Sequence, residues 1–285
     1  MFKNDRYAVH SIVETNQLGF SPVDYSKFKY GDISIAQKFG NELFDYFLRD
    51  ILNSNHALPK SFIVYSSPYF FLPTSSLHMT KAFYDRFVGF AKEHHELIND
   101  IKIGKIDRCH SYTSDYGAMT AEERFELIKN DTYKFNELPD SKSTLLFLDD
   151  ISITGTHQLV IENLLEENGI KNNCLFLYYA KLDNKGIPPN FENELNYAHI
   201  KNVHDLIPLI LSENFQNTTR TTKYILSLPA AHLNLLFDAL LDQDKKELLE
   251  ELLDGALQND YHLEESYALN IDCLKNRVLS NALIN

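Results

Sequence analysis

The stretch TLLFLDDISITGTH, residues 144–157, joins an apolar run, two adjacent acids and a Thr-Gly-Thr segment. The uninterrupted apolar character of residues 144–148 predicts a strand that is buried on both faces. Residues 149–156 then predict a loop and residues 158–167 a helix, and the next apolar run, CLFLYYA at 174–180, predicts a second strand. This order predicts a parallel pair of strands joined by a right-handed crossover.

The segments before this unit alternate between helical and strand patterns. We predict helices at residues 34–52, 74–98 and 120–129, and strands at 61–65 and 101–106. Strands that alternate with helices are typical of an α/β fold. We therefore expect a parallel sheet flanked by helices.

The pattern changes after residue 200. From residue 203 onward the apolar residues follow helical spacing, and no stretch predicts a strand. The Leu pairs within residues 234–253 sustain no heptad, which favours a helical core over a partner-binding zipper. We therefore expect two parts, an α/β domain at residues 1–200 and an all-helical C-terminal extension at residues 201–285.

Composition and charge exclude several classes of protein. The chain has 285 residues, of which 44% are hydrophobic and 24% charged, and this composition excludes a disordered protein. A net charge of −13, without a run of Lys and Arg, argues against a nucleic-acid partner. No stretch predicts a signal peptide or a membrane span. The three widely spaced cysteines form no disulfide or metal pattern, and they favour a reducing cytoplasm.

The segment at residues 149–156 carries the side chains that point to a ligand. Parallel sheets bind ligands at the carboxyl ends of their strands, where a helix N-terminus can hold a phosphate. Asp149 and Asp150 can accept hydrogen bonds from sugar hydroxyls or position a hydrated Mg²⁺. Thr154-Gly155-Thr156 offers hydroxyls, amides and a close backbone approach to an anion. One loop can thus hold both ends of a sugar phosphate, and a solvated turn is the alternative interpretation.

LLFLDDISITGTH resembles the phosphoribosyl-pyrophosphate motif of type I phosphoribosyltransferases, in which an apolar strand and two acids precede Thr/Ser-Gly-Thr/Ser. The resemblance implies a type I phosphoribosyltransferase-like parallel sheet flanked by helices. It implies that Asp149 and Asp150 are catalytic and contact the ribose 2′ and 3′ hydroxyls. It also implies that the next residues hold the 5′-phosphate: Ser152, Ile153, Thr154, Gly155 and Thr156. His157, just inside the helix, is a further candidate that either donates to the phosphate or lies at the surface. A Walker B strand also ends in acids, but the chain has no GxxxxGK[ST] run.

Two weaker resemblances extend the site. Ser66 and Ser67 stand where the family keeps its pyrophosphate-binding loop, and Ser111 and Tyr112 stand where it keeps a flexible loop that closes over the substrate. Tyr112 would then contact the leaving pyrophosphate. The serine loop lacks the glycine and the basic residue that are usual there, so the neutralising charge must come from Mg²⁺ or from another cation. The candidate cations are Lys27, Lys29, Lys81, Arg86, Arg108 and Arg124.

Two further stretches indicate a subgroup. DYGAMTAEER at residues 115–124 and FKYGD at residues 28–32 resemble the stress-associated phosphoribosyltransferase-like proteins of bacterial tellurite-resistance-type gene clusters. FKYGD has a simpler interpretation as a turn that enters the first helix.

The resemblance implies two functions from different classes. The first is an enzyme whose co-substrate is phosphoribosyl pyrophosphate (PRPP), with Mg²⁺ at Asp149 and Asp150. It displaces pyrophosphate from C1 with a nitrogen acceptor and forms an N-ribosidic 5′-phosphate. The second is a regulatory protein of the same fold that binds PRPP or a nucleotide without turnover. In both, the partner is a small sugar phosphate or nucleotide and no membrane is involved; a homodimer is left open.

Overall fold

The fold is described from a computed structural model of the chain, which covers residues 3–52, 60–109 and 132–282. The predicted helix at 120–129, the DYGAMTAEER stretch and the closing-loop residues Ser111 and Tyr112 lie outside the described residues. None of the described helices is long and apolar enough to cross a membrane.

A parallel sheet of five strands forms the centre of the described structure, in the order β1-β7-β6-β2-β3. Every neighbouring pair in it is parallel. Its strands are β1 (Lys3–Ile12), β2 (Ser61–Ser66), β3 (Asp100–Gly104), β6 (Thr144–Ser152) and β7 (Cys174–Leu182). Two short strands, β4 (Ile106–Arg108) and β5 (Tyr133–Phe135), pair antiparallel beside it. The structure confirms the predicted α/β fold, and β1 is a strand that the sequence did not predict.

Helices cover both faces of the sheet and continue to the C-terminus. They are α1 (Pro22–Lys29), α2 (Ile33–Tyr46), α3 (Ser75–Glu93), α4 (Thr156–Glu167), α5 (Phe191–Asn196), α6 (Val203–Leu211), α7 (Thr219–Leu226), α8 (Ala230–Asp242), α9 (Lys246–Gln258) and α10 (Glu265–Ala282). A π-helical turn, Phe47–Leu52, follows α2, and a 3₁₀ turn, Tyr261–Leu263, precedes α10.

The alternation of side chains along β6 divides the core into two layers. Leu146 and Leu148 pack with the side chains of α2 and α3 on one face of the sheet. Leu145 and Phe147 pack with the apolar side of α4 on the other. The strand is buried throughout because helices cover both faces, as its uninterrupted apolar sequence predicts.

Several predicted boundaries differ from the observed ones. Strand β6 extends to Ser152, so both acids lie in the strand and only residues 153–155 form the loop before α4. The helix predicted at 74–98 ends at Glu93. The strand predicted at 101–106 is divided between β3 and β4. Continued pairing with β7 extends β6 as far as Ser152, and a local sequence pattern does not report such pairing.

The C-terminal helices α6 to α10 have their own apolar core. Every described element after β7 is helical, as predicted from the sequence. Tyr30, at the end of α1, is buried in this second core. The extension is therefore packed directly against the α/β part.

Gly31 is a tight junction between the two parts. Its carbonyl accepts a hydrogen bond from the Gln216 amide at 2.9 Å, and the Ile33 amide donates to the Asn214 carbonyl at 2.8 Å. The backbone of Gly31 has φ of +100°, and a Cβ there would lie 2.1 Å from the Gln216 carbonyl oxygen. Both the φ angle and the close approach require glycine.

Gly31→Ala should therefore destabilise the fold by about 2 kcal/mol or more, because the side chain meets backbone and the φ angle is unfavourable. Gly89→Ala is the matched control. Gly89 lies within α3 with open space around it, so alanine there should stabilise by about 0.5–1 kcal/mol. Urea unfolding of both variants measures the two effects, and changes of the same sign would contradict the junction described at Gly31.

Candidate active site

A cavity of about 410 Å³ opens at the carboxyl edge of the sheet. This is the edge at which parallel α/β sheets place ligands. The α/β part lines it with Lys29, Ser67, Pro68, Thr74, Ser75, Ser76, Arg108, Tyr133, residues 149–158, Val160, Tyr178, Glu192 and Tyr197. The C-terminal helices add Thr219, Arg220, Lys223, Tyr224, Ser227 and Tyr267. The structure thus brings the predicted acids and phosphate loop into one cavity.

Asp150 is a buried carboxylate that is held by two partners from α1. Its Oδ2 accepts hydrogen bonds from Lys29 Nζ and from the Tyr25 hydroxyl, each at 2.6 Å. Burial is the largest single effect and opposes the ionisation of Asp150, but the charge of Lys29 and the hydrogen bonds together outweigh it and lower the pKa to about 2. Asp150 is therefore a permanent anion near neutral pH.

Asp149 has a different environment from its neighbour. One oxygen, Oδ1, accepts the Asp150 amide at 2.9 Å, and Oδ2 lies 3.1 Å from Nδ1 of His157. Burial raises the pKa of Asp149, the hydrogen bond with His157 acts against this rise, and the charge of Asp150 adds to it. His157 is half exposed and faces the cavity. Asp149 is therefore the acid whose charge responds more readily to a ligand.

The loop after β6 presents a helix N-terminus to the cavity. Gly155 has φ of +76° and directly precedes α4, and the Thr156 amide donates a long hydrogen bond of 3.4 Å to the Thr154 hydroxyl. The Thr154 and Thr156 hydroxyls are 2.6 Å apart. The first amides of α4 and these two hydroxyls therefore form a set of donors suited to an anion.

Arg6 is a residue near this loop that the sequence did not single out. A Cβ at Gly155 would lie 3.2 Å from Nη1 of Arg6, so the guanidinium lies against the loop. Arg6 belongs to β1, which pairs with β7 rather than with β6. Because sequence patterns did not predict β1, they did not point to this cation either.

The serine loop that follows β2 lies at another side of the cavity. Ser67 lines the cavity, and its hydroxyl contacts those of Ser76 and Thr74 at the start of α3. The Ser66 hydroxyl donates to the Ser67 carbonyl at 3.1 Å, and Ser66 does not line the cavity. Thr74 makes no side-chain capping bond to α3. Of the two serines, only Ser67 is placed to meet a ligand.

Two of the six candidate cations, Lys29 and Arg108, line the cavity. Lys27 and Lys81 do not line it, and Arg86 pairs with Asp45 at 2.7 Å. Arg124 lies outside the described residues. Arg220 and Lys223 were not among the candidates, and both belong to α7 in the C-terminal extension. The polar run NTTRTTK at residues 217–223 is the signal that could have identified them, since it interrupts an otherwise apolar helical region.

Residues 3–274 match the family model described as PRTase ComF-like. The chain belongs to this family. Membership supports phosphoribosyl transfer as the general activity of this phosphoribosyltransferase. The tellurite-resistance-type subgroup is a finer assignment that this match does not make.

Other comparisons add less. No curated protein matches the chain. Among solved structures, an adenine phosphoribosyltransferase is 15% identical, with a TM-score of 0.32, over 50% of this chain and 70% of its own. A hypoxanthine phosphoribosyltransferase from Staphylococcus aureus is 12% identical, with a TM-score of 0.30, over 53% of this chain and 75% of its own. Scores this low carry no argument about activity or substrate.

The ion pair between Lys29 and Asp150 yields a stability prediction. Lys29→Met should cost about 3 kcal/mol, because it leaves a buried carboxylate without its cation. Lys38→Met is the matched control: Lys38 pairs with Asp24 in a much more exposed position, and its loss should cost less than about 1 kcal/mol. Urea unfolding at pH 7 measures both, and equal losses would contradict the buried pair.

The effect of Lys29→Met should also depend on pH. The folded pKa of Asp150, about 2, lies below the unfolded value of about 3.9. The stabilisation from the pair is therefore complete above about pH 4 and is lost as the pH falls towards 2. The difference in unfolding free energy between the wild type and Lys29→Met should shrink over this range, and a constant difference would contradict the assignment.

Proposed function

We propose that this phosphoribosyltransferase transfers the 5-phosphoribosyl group of PRPP, with Mg²⁺, to a nitrogen acceptor and releases pyrophosphate. The observation that carries the proposal is the continuous arrangement of two buried acids, a short glycine-containing loop and a helix N-terminus, all lining one cavity. This arrangement offers acceptors for ribose hydroxyls next to donors for a phosphate.

The two acids would bind the ribose. Asp150, held ionised by Lys29, accepts a hydroxyl hydrogen bond without changing its own charge. Asp149 lies beside it with a raised pKa, and binding of a hydroxyl donor or a cation favours its ionised form. The resemblance to type I phosphoribosyltransferases supports the same assignment to the 2′ and 3′ hydroxyls.

The N-terminus of α4 would bind the 5′-phosphate. Its first amides, together with the Thr154 and Thr156 hydroxyls, supply hydrogen-bond donors, and the helix dipole favours an anion there. Arg6, which lies against Gly155, adds positive charge next to the loop. This charge matters because the chain as a whole carries −13.

The donor set fits a Mg²⁺ ion that is held mainly by the substrate. Among the described residues no group of three or more His, Cys, Asp and Glu side chains could hold a metal. Asp149 and Asp150 supply two carboxylates, and Mg²⁺ commonly binds one or two carboxylates together with substrate phosphates and water. When bound, Mg²⁺ neutralises charge on the pyrophosphate.

The chemical step needs little covalent participation from the protein. The C1–oxygen bond to pyrophosphate breaks while the acceptor nitrogen forms its bond to C1, and positive charge develops on the ribose in the transition state. The buried carboxylates are placed to stabilise this charge and to fix the ring by its hydroxyls. The proposal has two further parts. Contact of Tyr112 with the leaving group rests on the family resemblance. An acceptor near Tyr178 rests on the position of this residue in the cavity lining.

Three general expectations belong to the same proposal. A cytoplasmic location follows from the cysteine usage, and the absence of a nucleic-acid partner follows from the acidic charge. A role in stress response follows from the resemblance of FKYGD and DYGAMTAEER to the tellurite-resistance-type proteins.

Calorimetry tests the ribose site. Asp149→Asn should weaken binding of PRPP in Mg²⁺ by about tenfold or more, because a charged hydrogen bond contributes about 1.5–3 kcal/mol. Asp24→Asn changes the same residue type outside the cavity and should leave the affinity unchanged. Equal affinities for the two variants would contradict the assigned site.

Turnover separates the two functional classes. Pyrophosphate release from PRPP with a panel of nitrogen bases and amines should require Mg²⁺ and should fall in Asp149→Asn. Tight binding of PRPP without release across the panel would instead identify a regulatory protein.

A further inference from the structure

We propose that the C-terminal extension completes the active site, with Arg220 and Lys223 of α7 binding the pyrophosphate end of PRPP. The proposal rests on the proposed function and adds to it the residues that neutralise the leaving group. It gives the extension a direct role in substrate binding.

Pyrophosphate, the leaving group, carries several negative charges and therefore needs cations to bind it. The serine loop supplies none, because its residues 66–68 are Ser-Ser-Pro. Lys29 lines the cavity but already pairs with Asp150 at 2.6 Å. Of the four Lys and Arg residues among the described lining, two come from α7. Three carboxylates, those of Asp149, Asp150 and Glu192, also line the cavity. Lysines and arginines therefore outnumber carboxylates in the lining, although the chain as a whole is acidic.

Hydrogen bonds from two threonines fix the start of α7 to two separate segments of the α/β part. Thr219 donates from its amide to the Pro73 carbonyl and from its hydroxyl to the Leu72 carbonyl, each at 2.9 Å. The Thr221 hydroxyl donates to the Tyr30 carbonyl at 2.9 Å. Arg220 lies between these two anchored threonines. The start of α7 therefore holds a cation at a defined place rather than on a loose surface helix.

The anchored end of α7 lies beside the serine loop. Leu72 and Pro73, which accept the bonds from Thr219, run directly into residues 74–76 at the start of α3. Those residues line the cavity and contact Ser67. Arg220 follows Thr219 in sequence, so its backbone lies at the side of the cavity where the pyrophosphate is expected.

Arg220 and Lys223 are three residues apart in one helix, a spacing that places them on the same face. Both line the cavity. The uncapped N-terminus of α3 faces the same space and favours an anion through its dipole. Two cations and a helix N-terminus thus line the cavity together, next to the segment that contacts the serine loop. This position favours pyrophosphate over the 5′-phosphate as their ligand.

Three ligands distinguish the two ends of the substrate. Arg220→Gln/Lys223→Gln should weaken binding of PRPP and of inorganic pyrophosphate, both with Mg²⁺, by about tenfold or more in calorimetry. Ribose 5-phosphate lacks the pyrophosphate and should bind the variant within about twofold of the wild type. Lys201→Gln/Lys246→Gln removes two charges from the same extension outside the cavity and should leave all three affinities unchanged.

A charge-preserving variant controls for folding. Arg220→Lys/Lys223→Arg keeps both charges and should retain PRPP affinity within about threefold, because both Arg and Lys bind phosphate groups through charged hydrogen bonds. Circular dichroism and thermal unfolding confirm that the Gln variant is folded. A folded Gln variant with unchanged PRPP affinity would overturn the proposal.

Other outcomes also decide the question. An equal loss for ribose 5-phosphate would place the cations at the 5′-phosphate and overturn the proposal. A loss confined to an anionic acceptor would place them at the acceptor and overturn it too. Failure of the proposed function appears separately, in the wild type, as no binding of either PRPP or ribose 5-phosphate.

Discussion

The buried ion pair between Lys29 and Asp150 connects the parts of this protein that form its site. Asp150 belongs to the central strand β6, and Lys29 ends α1, two residues before Gly31, where the C-terminal extension is joined. The same pair keeps Asp150 ionised, because the charge of Lys29 and the hydrogen bonds to the carboxylate together outweigh its burial. One interaction thus holds an acid of the candidate site ionised and positions the segment on which the extension packs.

The electrostatics of the cavity differ from those of the whole chain. The chain has a net charge of −13, which by itself repels phosphates. The cavity concentrates lysines and arginines from three separate elements, and helices α3 and α4 direct their N-termini towards it. Local placement of charge rather than net charge would therefore allow the proposed anionic substrate to bind. The two adjacent acids also divide their roles, since Asp150 is fixed by Lys29 while Asp149 responds to its surroundings.

The C-terminal helices are part of the site as well as a separate apolar core. Their threonines at 218, 219 and 221 make hydrogen bonds to backbone carbonyls at residues 29, 72, 73 and 30. Such bonds fix the position of α7 against the α/β part. An extension that is anchored in this way supplies part of the cavity lining.

The sequence by itself determined the β6-α4-β7 unit and the order of the acids and the Thr-Gly-Thr segment within it, because these features are contiguous and the apolar pattern of the strands reports burial directly. It also established the helical character of residues 203–282. Only the tertiary structure decided which cations meet the acids. Lys29 is 121 residues from Asp150, and Arg6 is likewise far in sequence from Gly155, against which it lies. Arg220 and Lys223 reach the same cavity from a separate part of the chain. No local sequence pattern predicts these contacts, since they depend on strand order and helix packing rather than on neighbouring residues.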